Sequence, residues 1–537
     1  MTDNKLYYGD NLHVLRAFVD PASVDLVYLD PPFNSKQDYN ILFKTPVGAP
    51  ASAQIEAFGD TWHWGEEAER AYEQTMRSGN TALADLLAAL RTFLRENDMM
   101  AYLAMMAVRL VELKRVLKAK GSIYLHCDST ASHYLKLIMD GVFGIQFYRN
   151  EIIWKRSHAH SDGKQGSKHF GRVTDTILFY SRGEAATWNV QHQSYDQSYI
   201  DRDYRRTDDD GRRYRLDNIQ GPGGAEKGNP FYEVMGVWRH WRYSKEKMER
   251  LIEAGRIIQT RPGAVPQYKR YLDEMLGVPV QNLWDDMPCI NNRSKEFLGY
   301  QTQKPLALLE RIIKTSSNPG DVILDPFCGC GTAVDAAQKL ERQWIGIDLT
   351  YLAIGLIERR LKARYPDATY AVLGAPKDVE SAEHLAKSDP YQFQWWAVAQ
   401  VDAQPFGGRK KGADGGIDGI IYFRSGKGRT ERAIVSVKGG EHPGVLAVKE
   451  LRGTVERERA PIGVLITLRD PTSAMLKEAT SAGFTEGEFG SVPRLQILTA
   501  RDLLQGKRPR IPLIDVGAAY RQATRHVRPV EQEEMAI

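Results

Sequence analysis

Short apolar runs with the character of buried strands alternate with stretches of helical periodicity along this chain. The runs occupy residues 25–29, 121–126, 176–180, 321–325 and 344–348. A stretch with apolar residues at helical spacing extends from about residue 85 to 119. Such alternation is typical of a mostly parallel sheet with helices on both faces. The sequence therefore predicts an α/β fold.

Length and composition exclude several classes of protein. A chain of 537 residues is too long for one ordinary core, so two or three domains are expected. No apolar run is long enough to span a bilayer, and the first residues lack the pattern of a signal peptide. We therefore expect a cytoplasmic protein without a membrane partner. The net charge of +4 is too small to indicate nucleic-acid binding by itself.

The periodicity also divides the chain into segments. It gives way to polar, aromatic and basic residues in the middle of the chain and restarts after about residue 370. Polar and charged residues dominate the C-terminal end, which predicts a frayed tail. We expect one α/β half at 1–182, an inserted lobe at 183–295, a second half at 296–370, a further α/β domain at 385–515 and a tail at 516–537.

A glycine turn follows the apolar run that ends at Asp325. Gly329 and Gly331 open a predicted helix at Thr332, and we expect glycine there because a side chain would hold the backbone away from a ligand. The next strand ends at Asp348, whose carboxylate could accept hydrogen bonds from two ribose hydroxyls. No lysine follows Gly331, which disfavours a nucleoside triphosphate as ligand.

Two further features near these strands allow more than one interpretation. Asp10 ends a short strand and could accept a hydrogen bond from an adenine amino group, or it could cap the helix that follows. Cys328 and Cys330 lie in the glycine turn with no histidine or second cysteine pair nearby, so no zinc site is expected.

The segment Asp30-Pro31-Pro32-Phe33 closes the run at 25–29. An amine on an aromatic base is a poor nucleophile because its lone pair is delocalised, so an enzyme has to accept the amine hydrogens. Asp30 and the carbonyl of Pro31 are suited to this, since prolines aim a carbonyl outward, and Phe33 can stack on a base. By itself the segment also fits an exposed proline turn.

Seven segments follow, in order, the motifs of a known enzyme family. They are 9–11, 30–34, 121–128, 150–154, 300–305, 325–332 and 346–348. In content and order they resemble the β group of amino-methyltransferases and, within it, the modification subunits of Type III restriction systems. In that group the catalytic motif precedes the cofactor motif, as it does here.

The resemblance implies a Rossmann-like fold that binds S-adenosylmethionine and methylates a base swung out of double-stranded DNA. The catalytic motif would be Asp30, Pro31, Pro32 and Phe33. The implied cofactor residues are Asp10, Gln303, Lys304, Asp325, Phe327, Gly329, Gly331, Thr332 and Asp348. An initial aspartate is usual in N6-adenine enzymes and serine is commoner in N4-cytosine enzymes, so adenine is the expected target.

Other functions stay open at this point. They are N4-cytosine methylation, RNA methylation, and a non-catalytic DNA-binding component, although the intact segment 30–33 argues against the last. The resemblance implies a restriction-modification or phage-defence system. Enzymes of this group often form homodimers, and a separate restriction subunit could supply the helicase that this sequence lacks.

The inserted lobe interleaves rings and cations between residues 190 and 250, which suits a DNA surface. By resemblance it would carry target recognition. We predict that Arg212→Ala or Arg213→Ala weakens DNA binding and flattens its salt dependence. Three aspartates at 208–210 lower the local charge.

The C-terminal segment resembles the restriction-endonuclease fold, in which carboxylates bind magnesium and a lysine assists the attacking water. Asp418 and Lys438 are the matching positions. Ser436 replaces the usual Glu or Gln and is a weak magnesium ligand, while Glu450 or Glu456 could supply the missing acid. An active nuclease with Mg at Asp418 and an inactive DNA-binding module both stay open.

Overall fold

The computed structural model describes most of the chain. The described residues are 4–32, 38–44, 50–59, 63–157, 168, 170–291, 294, 296–298, 302–406, 416–424, 430–440, 443–487 and 490–511. Phe33, which the sequence places in the catalytic motif, lies outside them, as does the tail from 516.

A nine-stranded sheet forms the centre of the first domain. Its strands are β1 (Lys5–Tyr8), β2 (Val24–Leu29), β3 (Leu117–Cys127), β4 (Tyr148–Lys155), β5 (Thr174–Ser181), β6 (Leu283–Trp284), β7 (Val322–Asp325), β8 (Gln343–Asp348) and β9 (Ala371–Leu373). Their spatial order is β6-β4-β5-β3-β2-β7-β8-β1-β9. Only β5 is antiparallel to its neighbours within this sheet. The predicted α/β fold with a mostly parallel sheet is confirmed.

Helices pack on this sheet. They are Asn11–Phe18, Glu66–Met76, Thr81–Leu94, Asp98–Val116, Ser132–Phe143, Leu306–Ser316, Thr332–Lys339 and Tyr351–Arg364. The helical stretch expected at 85–119 is two helices, because Arg95 adopts a positive φ of 64° and Asn97 caps the second helix through its side chain. Leu87, Leu103 and Leu110 bury their side chains in one core with the sheet. A hairpin of Asp38–Lys44 and Pro50–Gly59 completes this domain.

The C-terminal domain has its own sheet, in the order β10-β11-β12-β13-β14. These strands are β10 (Gln404–Pro405), β11 (Gly419–Arg424), β12 (Thr430–Lys438), β13 (Ile462–Thr467) and β14 (Leu495–Thr499). The helices are Val379–Ser388, Pro390–Gln400, Val445–Arg457, Ser473–Ser481 and Ala500–Leu504, and a hairpin joins Phe484–Gly487 to Gly490–Pro493. Strand β13 is buried along its whole length, as expected for a central parallel strand.

Residues Val190–Gln281 form a separate compact unit. Its strands are His192–Gln193, Arg206–Thr207, Arg213–Asn218, Phe231–Val234, Val237–His240, Ile257–Ile258, Gln267–Tyr271 and Val278–Pro279, and its α-helices are Gln197–Asp203 and Lys245–Glu253. A small core of Ile219, Val234, Trp241, Met248 and Ile257 holds the unit together.

None of the helices built from the described residues is both long enough and apolar enough to cross a bilayer.

Candidate active site

Four neighbouring parallel strands end at one edge of the main sheet, and each carries an acid at its end. Asp30 follows β2, Asp325 ends β7, Asp348 ends β8, and Asp10 lies two residues after β1. The register pairs Leu324 with Val27 across β7 and β2. The structure therefore brings the proline segment and the glycine turn side by side, although almost three hundred residues separate them in sequence.

The four acids line a cavity of about 410 Å³, a volume suited to a small-molecule ligand. The predicted site residues that line it are Asp10, Asp30, Pro32, Lys304, Asp325, Phe327, Gly329, Thr332 and Asp348. Pro31, Gln303 and Gly331 do not line it. The cavity thus contains most of the predicted cofactor residues, together with Asp30 and Pro32 of the predicted catalytic motif.

Asp30 has one satisfied and one unsatisfied carboxylate oxygen. Lys304 donates a hydrogen bond from Nζ to Oδ2 of Asp30, and both side chains are largely buried. Oδ1 of Asp30 is buried and has no hydrogen-bond partner among the described residues. A buried acceptor without a donor is unfavourable by about 1–3 kcal/mol, so Oδ1 is ready to accept a hydrogen from a bound amine.

Asp348 braces the glycine turn. Its Oδ2 accepts a hydrogen bond from Gly329 N at 2.9 Å, and its Oδ1 accepts from Thr350 N at 2.9 Å and from Thr350 Oγ1 at 3.0 Å. Burial raises the pKa of Asp348 to about 6, although these hydrogen bonds favour the charged form. The carboxylate expected to bind a ribose therefore also holds the turn in shape.

Asp325 is the most deeply buried acid of the cavity. Burial raises the pKa of its carboxyl well above the ordinary value, and the nearby charges of Asp30 and Asp348 raise it further. Phe327 N donates to its Oδ1 at 3.0 Å. A positively charged ligand near Asp325 would lower this pKa again, because it favours the charged carboxylate.

Gly331 is required by the packing of a neighbouring helix. It has a φ of +75°, and a Cβ built there would lie 2.6 Å from Cγ1 of Ile357. Ile357 belongs to helix Tyr351–Arg364, so the glycine permits helix packing. The expected role of Gly331 beside a ligand stays a prediction.

Asp10 fits both interpretations that the sequence left open. It caps helix Asn11–Phe18 by accepting from His13 N at 3.0 Å, and it also lines the cavity. Its Oδ2 accepts a hydrogen bond from Arg109 Nη2 at 2.8 Å. Sequence reasoning missed Arg109, a single cation in the otherwise apolar run of helix Asp98–Val116 that precedes Glu112.

Gln303 holds a loop rather than lining the cavity. Its Oε1 accepts from Leu298 N and its Nε2 donates to Glu296 O, both at 2.8 Å. Both partners precede it by a few residues, so Gln303 fixes the approach to Lys304.

A buried polar chain runs from the cavity across three strands. Tyr28 lines the cavity, and its hydroxyl lies 3.1 Å from Nδ1 of His126. Nε2 of His126 lies 3.2 Å from Oδ2 of Asp175, whose Oδ1 lies 3.3 Å from Nε of Arg156. Burial raises the pKa of Asp175, but the hydrogen bond and charge of His126 outweigh it and hold that pKa below its ordinary value. A histidine inside a buried strand was the sequence signal for this network.

Comparison with known proteins shows the family of the chain. A family model described as DNA methylase, of the N6/N4 methyltransferase group, matches residues 24–356. The chain belongs to this family. It is therefore a DNA methyltransferase. It is 27% identical over 395 residues to the Type II methyltransferase M.EcaI of Enterobacter cloacae, a match that covers 73% of this chain and 76% of that protein.

Two further relatives connect it to DNA modification. The StyLTI Mod subunit of a Type III restriction-modification enzyme from Salmonella typhimurium is 26% identical over 357 residues, covering 63% of this chain and 50% of that protein. The DNA adenine methyltransferase YhdJ of Escherichia coli is 36% identical over 113 residues, covering 20% of this chain and 38% of that protein. The methyltransferase is thus related to restriction-modification enzymes, as its motifs predict.

The cavity fits the cofactor that a DNA methyltransferase uses, S-adenosylmethionine. Its volume suits a molecule of that size, and a positive sulfonium or ammonium group would favour the charged form of the buried Asp325 carboxyl. When bound, the cofactor supplies an electrophilic methyl group.

The second domain of the methyltransferase matches another family. A model described as NACHT-associated inactive Restriction Endonuclease 1 matches residues 392–505. The expected restriction-endonuclease-like domain is therefore confirmed.

The predicted nuclease residues lie together but are engaged with one another. Oδ2 of Asp418 accepts from Val437 N at 2.6 Å and from Ser436 Oγ at 3.3 Å. Lys438 pairs with Glu450 at 3.4 Å, and Glu456 pairs with Arg452. Across the part of the chain that the structure describes, no three His, Cys, Asp or Glu side chains are grouped to hold a metal ion.

The arginines singled out in the inserted lobe are engaged within it. Arg212 makes ion pairs with Asp273 and Glu274 and lies 3.9 Å from the centre of the Tyr271 ring. Arg213 donates to Tyr204 O at 2.9 Å. Their guanidinium groups therefore hold the lobe together.

A different surface of the lobe is open. The hairpin of Phe231–Val234 and Val237–His240 exposes Phe231 by 57% and Trp238 by 61%, with their rings 5.8 Å apart. Arg239 beside them is exposed and has no carboxylate partner among the described residues. This hairpin carries the exposed rings and cation that the sequence pattern indicated.

Proposed function

We propose that this protein transfers a methyl group from S-adenosylmethionine to the N6 amino group of an adenine swung out of duplex DNA. The observation that carries the proposal is the buried, unsatisfied Oδ1 of Asp30 in the wall of the cavity. It offers an acceptor for an amine hydrogen beside a turn suited to the cofactor. Unstacking and unpairing the base requires about a few kcal/mol, which stacking and hydrogen bonds in the pocket can offset.

The chain's own residues then have distinct roles. Asp30 Oδ1 accepts one amine hydrogen, which turns the nitrogen lone pair out of the ring system. The second hydrogen goes to the carbonyl of Pro31 only if the bound base reaches past the cavity, because Pro31 does not line it. Lys304 holds the carboxylate through Oδ2 and leaves Oδ1 free for the base. As nitrogen gains the methyl group it has to lose a proton, and Asp30 lines the cavity as a base that can receive it.

The cofactor side follows from the other wall of the cavity. Asp348 and Gly329 would orient the adenosyl part, and Asp10 would accept a hydrogen bond from its adenine amino group. A positive group of the cofactor would favour the charged form of Asp325. Phe327 and Thr332 complete the walls, and Phe33 would stack on the base.

Adenine is the proposed target for two reasons. The catalytic motif begins with aspartate at position 30, the form usual in the N6-adenine enzymes that the chain resembles. The relative YhdJ is an adenine methyltransferase by name.

Nucleoside analysis tests this proposal. The protein is incubated with unmethylated plasmid DNA and methyl-labelled cofactor, and the DNA is digested to nucleosides. We expect N6-methyladenine from the wild type and from Asp20→Asn, an exposed acid away from the cavity, and none from Asp30→Ala. N4-methylcytosine as the product would overturn the adenine assignment, and equal methylation by Asp30→Ala would overturn the catalytic role.

For the C-terminal domain we propose a DNA-binding role without cleavage. Ser436 replaces the expected acidic ligand, and its hydroxyl and the Val437 amide already bond to Asp418. Cleavage in a restriction system would then come from a separate subunit. Magnesium-dependent nicking of unmethylated DNA that disappears in Asp418→Ala would refute this assignment.

We further propose that unit Val190–Gln281 recognises the target sequence and that the enzyme forms a homodimer on DNA. The exposed Phe231, Trp238 and Arg239 support a groove contact, because a two-stranded ribbon fits the major groove. Light scattering with and without DNA measures the mass, and a monomer in both conditions would refute the dimer.

A further inference from the structure

The C-terminal domain contributes a side chain to the cofactor cavity. Helix Pro390–Gln400 belongs to this domain, and Gln392 on it lines the cavity beside Asp348 and Thr350. Gln392 is 3% exposed, and its Oε1 accepts a hydrogen bond from Tyr351 N at 3.1 Å. The match to the restriction-endonuclease-like family begins at this residue.

Gln392 fixes the start of the helix behind the cavity. Tyr351 is the first residue of helix Tyr351–Arg364, which follows Thr350 directly. The Gln392 carboxamide satisfies one of the amides that every helix leaves without an internal partner. Because its oxygen is engaged in this way, the carboxamide is held with its Nε2 hydrogens available to a ligand, and no described residue accepts from them.

The opposite side of the same helix rests on the nuclease-like sheet. A Cβ added to Gly419 would lie 2.9 Å from Cγ1 of Val398, and one added to Gly439 would lie 3.1 Å from Cδ1 of Phe393. These glycines directly follow Asp418 and Lys438. One helix of 11 residues therefore contacts both the cofactor cavity and the strands beside the predicted nuclease residues.

The core is also continuous across the two domains. Tyr351 and Leu352 pack in one hydrophobic cluster with Trp395 and Trp396, and Tyr351 stacks on Tyr8 with ring centres 3.8 Å apart. Tyr8 ends β1, two residues before Asp10. The nuclease-like domain thus forms part of the wall behind the cofactor cavity.

We propose that Gln392 is a cofactor-binding residue supplied by the nuclease-like domain. Its Nε2 donates a hydrogen bond to an acceptor on the adenosyl part of S-adenosylmethionine, while its Oε1 holds Tyr351 N. The inference rests on the proposed cofactor site. It gives the nuclease-like domain a direct role in cofactor binding.

Calorimetric titration of the full chain with S-adenosylmethionine tests the contact. We expect Gln392→Ala to raise the Kd about tenfold, which corresponds to one lost hydrogen bond plus an unsatisfied buried amide. Gln394→Ala is the matched control, since Gln394 lies on the same helix and does not line the cavity, and its Kd should stay at the wild-type value.

Gln392→Glu separates the two halves of the carboxamide. Glutamate keeps an acceptor for Tyr351 N but has no Nε2 hydrogens. Both variants are titrated with S-adenosylhomocysteine, whose sulfur is uncharged, so that the charge of glutamate meets no sulfonium. The Kd should rise as much in Gln392→Glu as in Gln392→Ala. A wild-type Kd in Gln392→Glu would show that only the hydrogen bond from Tyr351 N to the side-chain oxygen matters, and it would overturn the proposed donor role of Nε2. A wild-type Kd in Gln392→Ala would overturn the whole inference.

Amide hydrogen exchange gives a second readout. Cofactor should slow exchange in helix Pro390–Gln400 of the wild type and lose this effect in Gln392→Ala. Protection confined to residues before 366 would contradict the coupling. If the wild type itself shows no binding of S-adenosylmethionine, the cofactor assignment fails rather than the role of Gln392.

Discussion

Cofactor affinity should fall as Asp348 takes up a proton. Burial raises the pKa of Asp348 to about 6 in the ligand-free protein, and the proposed ribose contact needs the carboxylate as an acceptor. Below pH 6 the fraction of charged Asp348 falls tenfold per pH unit. The Kd for S-adenosylmethionine should therefore rise about tenfold between pH 7 and pH 5, equivalent to about 1.4 kcal/mol.

The assay is isothermal titration calorimetry at half-unit steps from pH 5 to pH 8. At pH 6, binding should release about half a proton, which appears as a dependence of the apparent enthalpy on the buffer's ionisation enthalpy. Asp348→Asn should bind weakly at every pH and release no proton near pH 6. Asp325→Asn should bind more weakly but keep the step near pH 6.

A Kd that stays constant between pH 5 and pH 8 in the wild type would refute this reasoning. So would a step at pH 6 that persists in Asp348→Asn, because another group would then have to titrate. Either result would mean that Asp348 braces Gly329 and Thr350 without contacting the cofactor.

Three further predictions test other parts of the structure. Gly331→Ala should lower the free energy of unfolding by about 2–4 kcal/mol, because the added Cβ requires a left-handed backbone and lies 2.6 Å from Ile357. Gly320→Ala is the control, since Gly320 has a positive φ but no neighbour within 4 Å, and it should lose only about 1–2 kcal/mol. Denaturant unfolding measures both. His126→Ala should destabilise the protein by about 1–3 kcal/mol at pH 7, because Oδ2 of Asp175 loses its hydrogen-bond partner while Arg156 stays near Oδ1. The loss should shrink as pH falls through the lowered pKa of Asp175, and a pH-independent loss would count against this contact. Arg239→Ala should weaken DNA binding and reduce the slope of log K against log salt by about one, while Arg212→Ala should chiefly lower the stability of the lobe. Filter binding over a salt series compares the two variants. Equal slopes for the wild type and Arg239→Ala would show that the hairpin does not contact DNA.

The main sheet and the meeting of its acids could be predicted from sequence for a simple reason. Parallel strands place their carboxyl ends at one edge, so acids that close successive apolar runs converge there. Asp30, Asp325 and Asp348 all follow this rule. The turn between them was also predictable, because glycine at 329 and 331 marks positive φ.

What the sequence could not supply is the partner of each side chain. The Oε1 of Gln303 accepts a hydrogen bond from a backbone amide five residues away, and the side chain does not line the cavity. The backbone of Gly331 packs closely against Ile357 on another helix. Arg109 lies 99 residues from Asp10, and no local pattern joins them. Such contacts depend on how helices dock, which periodicity does not encode.

The predicted helical stretch at 85–119 missed a helix boundary, because a capping residue starts a new helix although the apolar spacing continues. Apolar spacing continues through 85–119, but Asn97 accepts from Met100 N and starts a new helix after the positive φ of Arg95. The Asn-Asp pair at 97–98 was the available signal.

The same acids that suit the site for its cofactor should weaken the ligand-free fold. Burial raises the pKa of both Asp325 and Asp348, so the native state binds protons more tightly than the unfolded chain. Their contribution to stability is therefore present at low pH and is lost as pH rises through the native pKa, by about 3 kcal/mol for Asp348 if its pKa moves from 3.8 to about 6. Lys304 offsets part of the repulsion through Asp30, and a cationic cofactor would offset more. Because Gln392 ties the cavity to the second domain, that stabilisation should reach the nuclease-like sheet as well.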